Sequence, residues 1–363
     1  MAEVEVKNLT KRFGKTVAVD NLTLSVKDKS FVVLLGSSGC GKTTILRCIA
    51  GLETPDKGEI LIGGKVVNEL HPRDRDISMV FQDYALYPHM SIYKNLAFPL
   101  KNRKLPKDEI DKKVTETAKM LHIEKLLDRL PEKLSGGEKQ RVAVGRAIVR
   151  EATVFLMDEP LSNIDAKLRI YMRSELKKLQ RDLEMTTIYV THDQIEALAI
   201  ADKIAVFDNG VLQQHGAPSE IFEQPATEFV AGFVGTPPMN LIRCSLIEKD
   251  NLIYLESGDF TYKLDKDIAK IILERVRGSE LTLGIRSEDL LLNFGPVKNS
   301  YETETYMVET LGREWLVSVK LEEVILKAIT SRSMTSVNPR DKLWVTFNKE
   351  KIHIFDKKGD LLI

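Results

Sequence analysis

Gly36-Ser37-Ser38-Gly39-Cys40-Gly41-Lys42-Thr43 follows the apolar run Phe31–Leu35 and opens a helical pattern over Lys42–Ala50. The octet fits G-x-x-x-x-G-K-[ST], a pattern that carries chemistry only between a strand and a helix, where it stands here. Glycines let the backbone turn around an anion with no Cβ in the way. Loop amides and the positive end of the next helix then form an anion-binding nest. On this reading Gly36, Ser37, Ser38, Gly39, Cys40, Gly41, Lys42, Thr43 and Thr44 line a triphosphate site. Lys42 places a point charge between the β- and γ-phosphates, and the Thr43 hydroxyl coordinates Mg²⁺. Cys40 is either a small residue that suits the turn or a thiol made reactive by the helix N-terminus and Lys42.

Strand-like runs alternate with helical ones outward from this loop, which implies a layered α/β domain. Val154–Met157 reads as a buried strand and Ala166–Glu184 as a helix, with Leu168, Met172, Leu176, Leu179 and Leu183 forming one apolar stripe. Asp158 and Glu159 emerge at the C-terminal end of that strand, where α/β sheets bind ligands. Asp158 suits Mg²⁺, directly or through water, and Glu159 is placed to polarise a water attacking the γ-phosphate. Adjacent acids after a strand also occur in plain solvated turns; the phosphate loop is what gives this pair weight.

A chain of 363 residues fits two or three domains. Its 43% hydrophobic and 29% charged residues exclude a disordered or collagen-like polymer. The 53 basic residues cancel the 53 acidic ones, which weighs against a coat for nucleic acid. Three cysteines without a CxxC suggest neither a disulfide framework nor a zinc site. The N-terminus lacks a signal-peptide core, and no stretch approaches the ~18 apolar residues of a spanning helix, so a soluble cytoplasmic chain is expected. Gly235-Thr236-Pro237-Pro238 marks a boundary. Beyond it the texture turns β-rich and barrel-like. Leu343–Phe347 and Lys351–Phe355 read as a hairpin around Asn348-Lys349-Glu350, Leu252–Glu256 and Phe260–Leu264 as another, and Asp267–Arg277 as a helix.

Leu134-Ser135-Gly136-Gly137-Glu138 resembles the signature of ATP-binding-cassette (ABC) ATPases, with Glu138 where glutamine is usual. Locally, Ser135 and Glu138 also read as a capping box opening a helix, and both readings can hold. The resemblance implies that Ser135, Gly136 and Gly137 grip the γ-phosphate of ATP held by the other subunit of a homodimer. It implies further that Phe13 stacks on adenine, although an aromatic after Lys-Arg also suits a core. Gln82 resembles the glutamine that senses Mg²⁺ and the γ-phosphate. Ser162–Asp165 resembles the loop crossing the dimer seam, where a plain N-cap is the local alternative. His192 resembles the switch histidine. The implied catalytic residues are Glu159, His192 and Lys42; the implied metal ligands are Thr43, Gln82 and Asp158.

Phe81–Met90, Pro160–Arg169 and Gly232–Gly235 are similar to ATPases of maltose and multiple-sugar importers. Leu283–Glu288 and Val337–Asp341 resemble motifs of their C-terminal domain, with Ser287 and Arg340 departing from the usual residues. The implied architecture is an α/β P-loop NTPase, an ABC cassette with a helical subdomain over 1–235, followed by a β-rich OB-like regulatory domain over 236–363. The implied function is ATP hydrolysis coupled to uptake of a sugar, on the cytoplasmic side of the cell membrane. Implied partners are permease subunits docking near Gln82–Pro99 and, indirectly, an extracytoplasmic solute-binding protein, with no nucleic acid. Import of polyamine, sulfate, iron or glycerol phosphate remains an alternative, as does a soluble cassette acting on ribosomes or DNA. The last usually carries paired cassettes, long insertions or zinc-binding cysteines, none of which is in this sequence.

Overall fold

The computed structural model describes residues 3–363 except Asn163, Arg277 and Arg332. Contacts divide it into two compact units that part between Pro218 and Ser219. The proline-marked boundary at 235/236 therefore falls inside the second unit.

The first unit opens with β1 (Val4–Phe13), β2 (Thr16–Val26), β3 (Phe31–Gly36), α1 (Lys42–Ala50), β4 (Lys57–Ile62), β5 (Lys65–Val66) and β6 (Ile77–Val80). Three helices follow, α2 (Ile92–Asn102), α3 (Lys107–Met120) and α4 (Gly136–Ile148). The unit closes with β7 (Val154–Asp158), α5 (Ala166–Asp182), β8 (Thr186–Thr191), α6 (Gln194–Ile200), β9 (Lys203–Asp208) and β10 (Val211–Gly216). An antiparallel sheet runs β2-β1-β4-β5, and a second sheet runs β10-β9-β3-β8-β7-β6. The second is parallel from β9 to β6. Its strands β3, β7 and β8 are buried at every position. They read as continuous apolar and β-branched runs because helices cover a parallel sheet on both faces. The α5 stripe buries Met172, Leu176 and Leu179, while Leu183 lies past the last turn and is exposed.

Register decides where the chemistry lands. Leu35 pairs with Thr191, Asp158 with Val190, and Val80 with Met157. The C-terminal ends of β3, β8, β7 and β6 thus lie level along one edge of the sheet. They lead into the Gly36–Thr43 loop, His192, Asp158-Glu159 and Gln82, respectively.

The second unit holds α7 (Pro218–Glu223, from Ser219 on), α8 (Glu228–Phe233), β11 (Asn240–Lys249), β12 (Leu252–Ser257), β13 (Phe260–Lys263) and α9 (Lys266–Arg275). Strands β14 (Glu280–Ile285), β15 (Leu290–Asn293), β16 (Tyr301–Thr310), β17 (Trp315–Leu321), β18 (Val324–Thr330), β19 (Lys342–Phe347) and β20 (Ile352–Phe355) complete it. Two antiparallel five-stranded sheets, β13-β12-β11-β14-β20 and β15-β19-β16-β17-β18, share one apolar core that includes Leu283, Ile285, Val319 and Val345. The β12–β13 hairpin forms as read, with Ser257 opposite Phe260. Helix α9 covers the expected helical segment from Asp267 to Arg275 and stops there, Val276 being extended, while the expected last residue, Arg277, lies outside the described residues.

The other expected hairpin does not form. β19 pairs with β15 and β16, whereas β20 pairs with β14 in the opposite sheet. Asn348 redirects the chain: its backbone N–H donates to the Asp289 carbonyl and its side chain caps a 3₁₀ turn over Lys349–Lys351. All four residues of β20 are buried, so its apparent alternation does not mark a solvent-facing side.

Arg286 ties the stretch before the proline pair into this unit. Its Nη1 donates to the carbonyls of Ala231 and Val234, its Nη2 donates to Phe222 O at 2.7 Å, and the guanidinium stacks 4.2 Å from the Phe222 ring. Burial pushes its pKa down to about 10, the nearby Glu288 and Asp289 carboxylates opposing only in part. Removing it strands buried carbonyls, so Arg286→Ala should cost about 1–3 kcal/mol of stability. Both tryptophans, Trp315 and Trp344, lie in this unit, so urea unfolding followed by tryptophan fluorescence reports on it. An unchanged midpoint would show that the clamp stabilises nothing.

Candidate active site

The loop between β3 and α1 is shaped for an anion. Gly39 and Gly41 take left-handed backbone angles (φ 81° and 101°), and a Cβ on Gly41 would collide with the Ala18 carbonyl of β2. No side chain caps α1, so its first-turn amides are left to a ligand. Lys42 is buried, its ammonium donating to Gly36 O at 3.0 Å and Ser37 O at 2.7 Å. Cys40 is buried too, its Sγ 3.6 Å from that ammonium. Ser37, Ser38 and Gly39 are exposed, and Thr44 is half-buried.

Thr43 Oγ1 donates to Asp158 Oδ1 at 2.8 Å, so the two expected metal ligands stand side by side. Two adjacent hard oxygens beside a phosphate nest are a donor set that suits Mg²⁺. Burial raises the Asp158 carboxyl above its ordinary range, the Thr43 hydrogen bond opposing and the Glu159 charge adding to the rise.

Glu159 is held on both oxygens. Gln82 Nε2 donates to Oε2 at 3.4 Å, and His192 Nδ1 lies 3.1 Å from Oε1. Its backbone is left-handed (φ 44°), a conformation that costs a non-glycine residue of order 1–3 kcal/mol. The Glu159 N–H bond to Val190 O and the bonds from Ser162 N and Oγ to Glu159 O hold it there. The residue is thereby turned out of the strand direction towards Gln82 and His192.

The structure brings the phosphate loop, Asp158, Glu159, Gln82 and His192 to one sheet edge. Phe13 ends β1 at the tip of the hairpin whose Ala18 abuts Gly41; it is 48% exposed, with Lys11 Nζ 4.9 Å over its ring. Ser135, Gly136 and Gly137 open α4, and among the described residues no hydrogen bond joins them to the loop. The capping box is present, with Ser135 N and Oγ both donating to Glu138 Oε2 at 2.8 Å. Those bonds hold the Glu138 carboxyl below its ordinary range. Asp165 caps α5, while Asn163 beside it lies outside the described residues.

The aromatic stretch after Gln82 is not a bare apolar patch: Tyr84, Leu86, Tyr87 and Met90 are half-buried, and Pro88 and His89 are exposed. Arg146 of α4 donates to the carbonyls of Tyr84 and Ala85, both left-handed, and Asn95 of α2 binds Tyr87 N and O and Met90 O. Sequence reading missed Arg146, whose main-chain partners lie some sixty residues upstream, and Asn95, whose side chain binds main-chain atoms of the loop just before α2. It also missed Arg169, Asp193 and Glu196 around His192; only Asp193, an N-cap residue before Gln-Ile-Glu, had a local signal.

Comparison with known proteins identifies the family. Residues 19–162 match the ABC transporter family model and residues 235–290 the MalK OB fold domain. The chain is 50% identical to the trehalose/maltose import ATP-binding protein MalK of Thermococcus litoralis, over 98% of both chains. It is 46% identical to the oligosaccharides import ATP-binding protein MsmX of Bacillus subtilis over the full length of both. It is also 50% identical to the sn-glycerol-3-phosphate import protein UgpC of Bordetella pertussis, over 87% of this chain and 85% of that one. Among solved structures it resembles the dimeric ATP-binding cassette MJ0796 bound to ADP and phosphate. That likeness has a TM-score of 0.55 at 31% identity and covers 59% of this chain and 98% of the other.

The raised Asp158 carboxyl has a consequence for stability. An acid whose folded pKa lies above its unfolded value stabilises fully only below the unfolded value, and loses that contribution as pH rises through the folded one. At pH 7 the ionised carboxylate is therefore a net cost. Asp158→Asn should match or exceed the parent melting temperature at pH 7 in the full chain without nucleotide, the difference shrinking as pH falls into the carboxylate range. Calorimetry that finds the variant clearly less stable at pH 7 would contradict this.

Proposed function

We propose that this chain, which belongs to the family of ATP-binding subunits of ABC importers, hydrolyses ATP to drive uptake of a sugar. The observation that carries the hydrolytic site is the placement of Glu159: one carboxylate clasped by Gln82 and His192, beside Thr43-Asp158 and the phosphate loop. The loop amides and the α1 N-terminus take up the phosphates, and Lys42 exchanges its bonds to Gly36 O and Ser37 O for phosphate oxygens. Phe13 offers an exposed ring to the base. Thr43, Gln82 and Asp158 are the residues that would hold Mg²⁺, which when bound neutralises charge on the β- and γ-phosphates. Glu159 accepts a proton from the attacking water on a carboxylate oxygen, while His192 holds that carboxylate in line.

One chain supplies everything except a second set of amides over the γ-phosphate. Ser135-Gly136-Gly137 at the start of α4 supply these from a second copy, so the working unit is a head-to-tail homodimer with ATP in the seam. The dimeric state of the MJ0796 cassette supports this reading. The subunit is peripheral, on the cytoplasmic face of the membrane, and serves permease subunits fed by a solute-binding protein. Among the described residues no helix is long and apolar enough to cross a membrane. The docking surface is the loop from Gln82 to Met90 and the start of α2, whose backbone Arg146 joins to the signature helix.

Likeness to MalK and MsmX along nearly the whole chain supports a sugar. A second reading, glycerol phosphate, rests on the equal identity to UgpC of Bordetella pertussis and on 45% identity to UgpC of Rhodopseudomonas palustris over 99% of this chain. Uptake assays with the cognate permease, comparing labelled maltose or trehalose with glycerol 3-phosphate, separate the two.

Glu159→Gln should leave nucleotide affinity intact and cut kcat by about 10²–10⁴-fold, the usual value of general-base help; near-normal turnover would sink the assignment. His89→Glu, at an exposed loop position, should abolish uptake in vesicles and co-purification with the permease while sparing ATPase of the free chain. Equal loss of both activities would mean that the loop serves folding.

A further inference from the structure

His192 lies between two residues that are held from behind. Thr191 Oγ1 donates to Glu196 Oε2 at 2.8 Å and accepts from Asp193 N at 2.9 Å. Asp193 spends Oδ1 on the cap of α6, accepting from Ile195 N and Glu196 N, and its Oδ2 faces Arg169 Nη1 at 3.4 Å. Glu196 is buried, accepts a second bond from Tyr189 OH on the same oxygen, and turns Oε1 towards Arg169 Nε 3.9 Å away. That Nε is buried and makes no hydrogen bond among the described residues. On its far side Arg169 Nη2 donates to Ile164 O at 3.2 Å, in the segment between Glu159 and α5.

Resting on the hydrolytic reading above, we propose that Arg169 is a positioning residue for the switch histidine. It joins the Ile164 carbonyl to the two carboxylates that fix Thr191 and Asp193, and so sets where His192 Nδ1 meets Glu159 Oε1. Glu159 and His192 are then connected twice: directly through their side chains, and through the chain from Glu159 by Ser162 and Ile164 to Arg169 and Asp193. Displacement of Ile164 alters the second connection and shifts the ring relative to the first. A fork of planar donors suits the task, since a guanidinium can hold a carbonyl and two carboxylates in one fixed geometry. Arg169 and Asp193 are partly exposed, their side chains 31% and 24% accessible, and such pairs contribute little to stability. Its loss is therefore expected in turnover and not in folding.

The test uses the full chain, with ATPase kinetics, fluorescent MANT-ATP binding and thermal melting on Arg169→Ala, Asp193→Asn and His192→Ala, alone and combined. Asp193→Asn keeps an oxygen for the α6 cap while removing the ion pair, so it guards against a misfolded Arg169→Ala. Each of the first two changes should lower kcat about tenfold, as small misplacements of a catalytic group do, with KM, MANT-ATP affinity and melting temperature unchanged. Neither should lower the residual single-turnover rate further once His192 is alanine, because residues acting as one unit are not additive. Near-parent kcat in both variants, losses that multiply with His192→Ala, or a parallel fall in MANT-ATP affinity would each overturn the proposal. Full activity of His192→Ala alone would instead remove the underlying reading of the histidine, and the proposal with it.

Discussion

Parallel pairing puts the C-terminal ends of neighbouring strands on one edge of a sheet, and the register of β3, β8, β7 and β6 makes those ends level. Every candidate catalytic group follows from that constraint. The four strands are remote in sequence, yet each leads at its C-terminal end into a segment that carries part of the site: Thr43 meets Asp158, and Gln82 and His192 meet Glu159. A slip of one residue in β7 would move Asp158 away from Thr43 and turn the flanking side chains to the opposite face. Burial of β3, β7 and β8 on both faces is what forbids the slip. Core packing and site geometry are in this sense one requirement.

Electrostatics at this edge are poised. The ammonium of Lys42 rests on loop carbonyls, Asp158 is buried against a hydroxyl, and Glu159 stands in a strained backbone conformation. The first two are arrangements that a metal-bound triphosphate would relieve, with phosphate oxygens for the ammonium and a cation for the buried carboxylate. Preorganised groups of this kind do not need to rearrange as charge develops. Among the described residues the signature amides at the start of α4 make no hydrogen bond to the loop, and the function proposed above assigns the remaining donors to a second copy.

How much of this the sequence disclosed depends on whether the information is local. The phosphate loop, the acids after β7 and the capping box are local, since each needs only a few adjacent residues and a flanking element. They were legible, and so were α1, α9 and the β12–β13 turn. The pairing of β19 and β20 into opposite sheets was not, because alternation specifies a strand without specifying its neighbour. Asn348 steering the chain between two sheets has no counterpart in the pattern of hydrophobic residues. Where the compact units part, between Pro218 and Ser219, was not legible for a similar reason: Pro237 and Pro238 break the chain visibly, but Arg286, far downstream, draws Phe222, Ala231 and Val234 into the second unit. The half-burial of Tyr84 and Tyr87 likewise depends on Arg146 and Asn95. Long-range contacts made by one arginine or asparagine leave no periodic trace.

The claim that matters most is that a working site needs two chains. Mixing two inactive full-length variants tests it directly, one carrying Lys42→Ala and the other Ser135→Arg, each assayed alone and then together after exchange of subunits. In a mixed dimer one site would combine both defects, while the other would pair an intact phosphate loop with an intact signature helix. Recovery of ATPase on mixing, from two preparations that are each inactive, is the expected result. Full activity of the Ser135→Arg chain by itself, or no recovery in a mixture shown to contain the mixed dimer, would contradict the composite site.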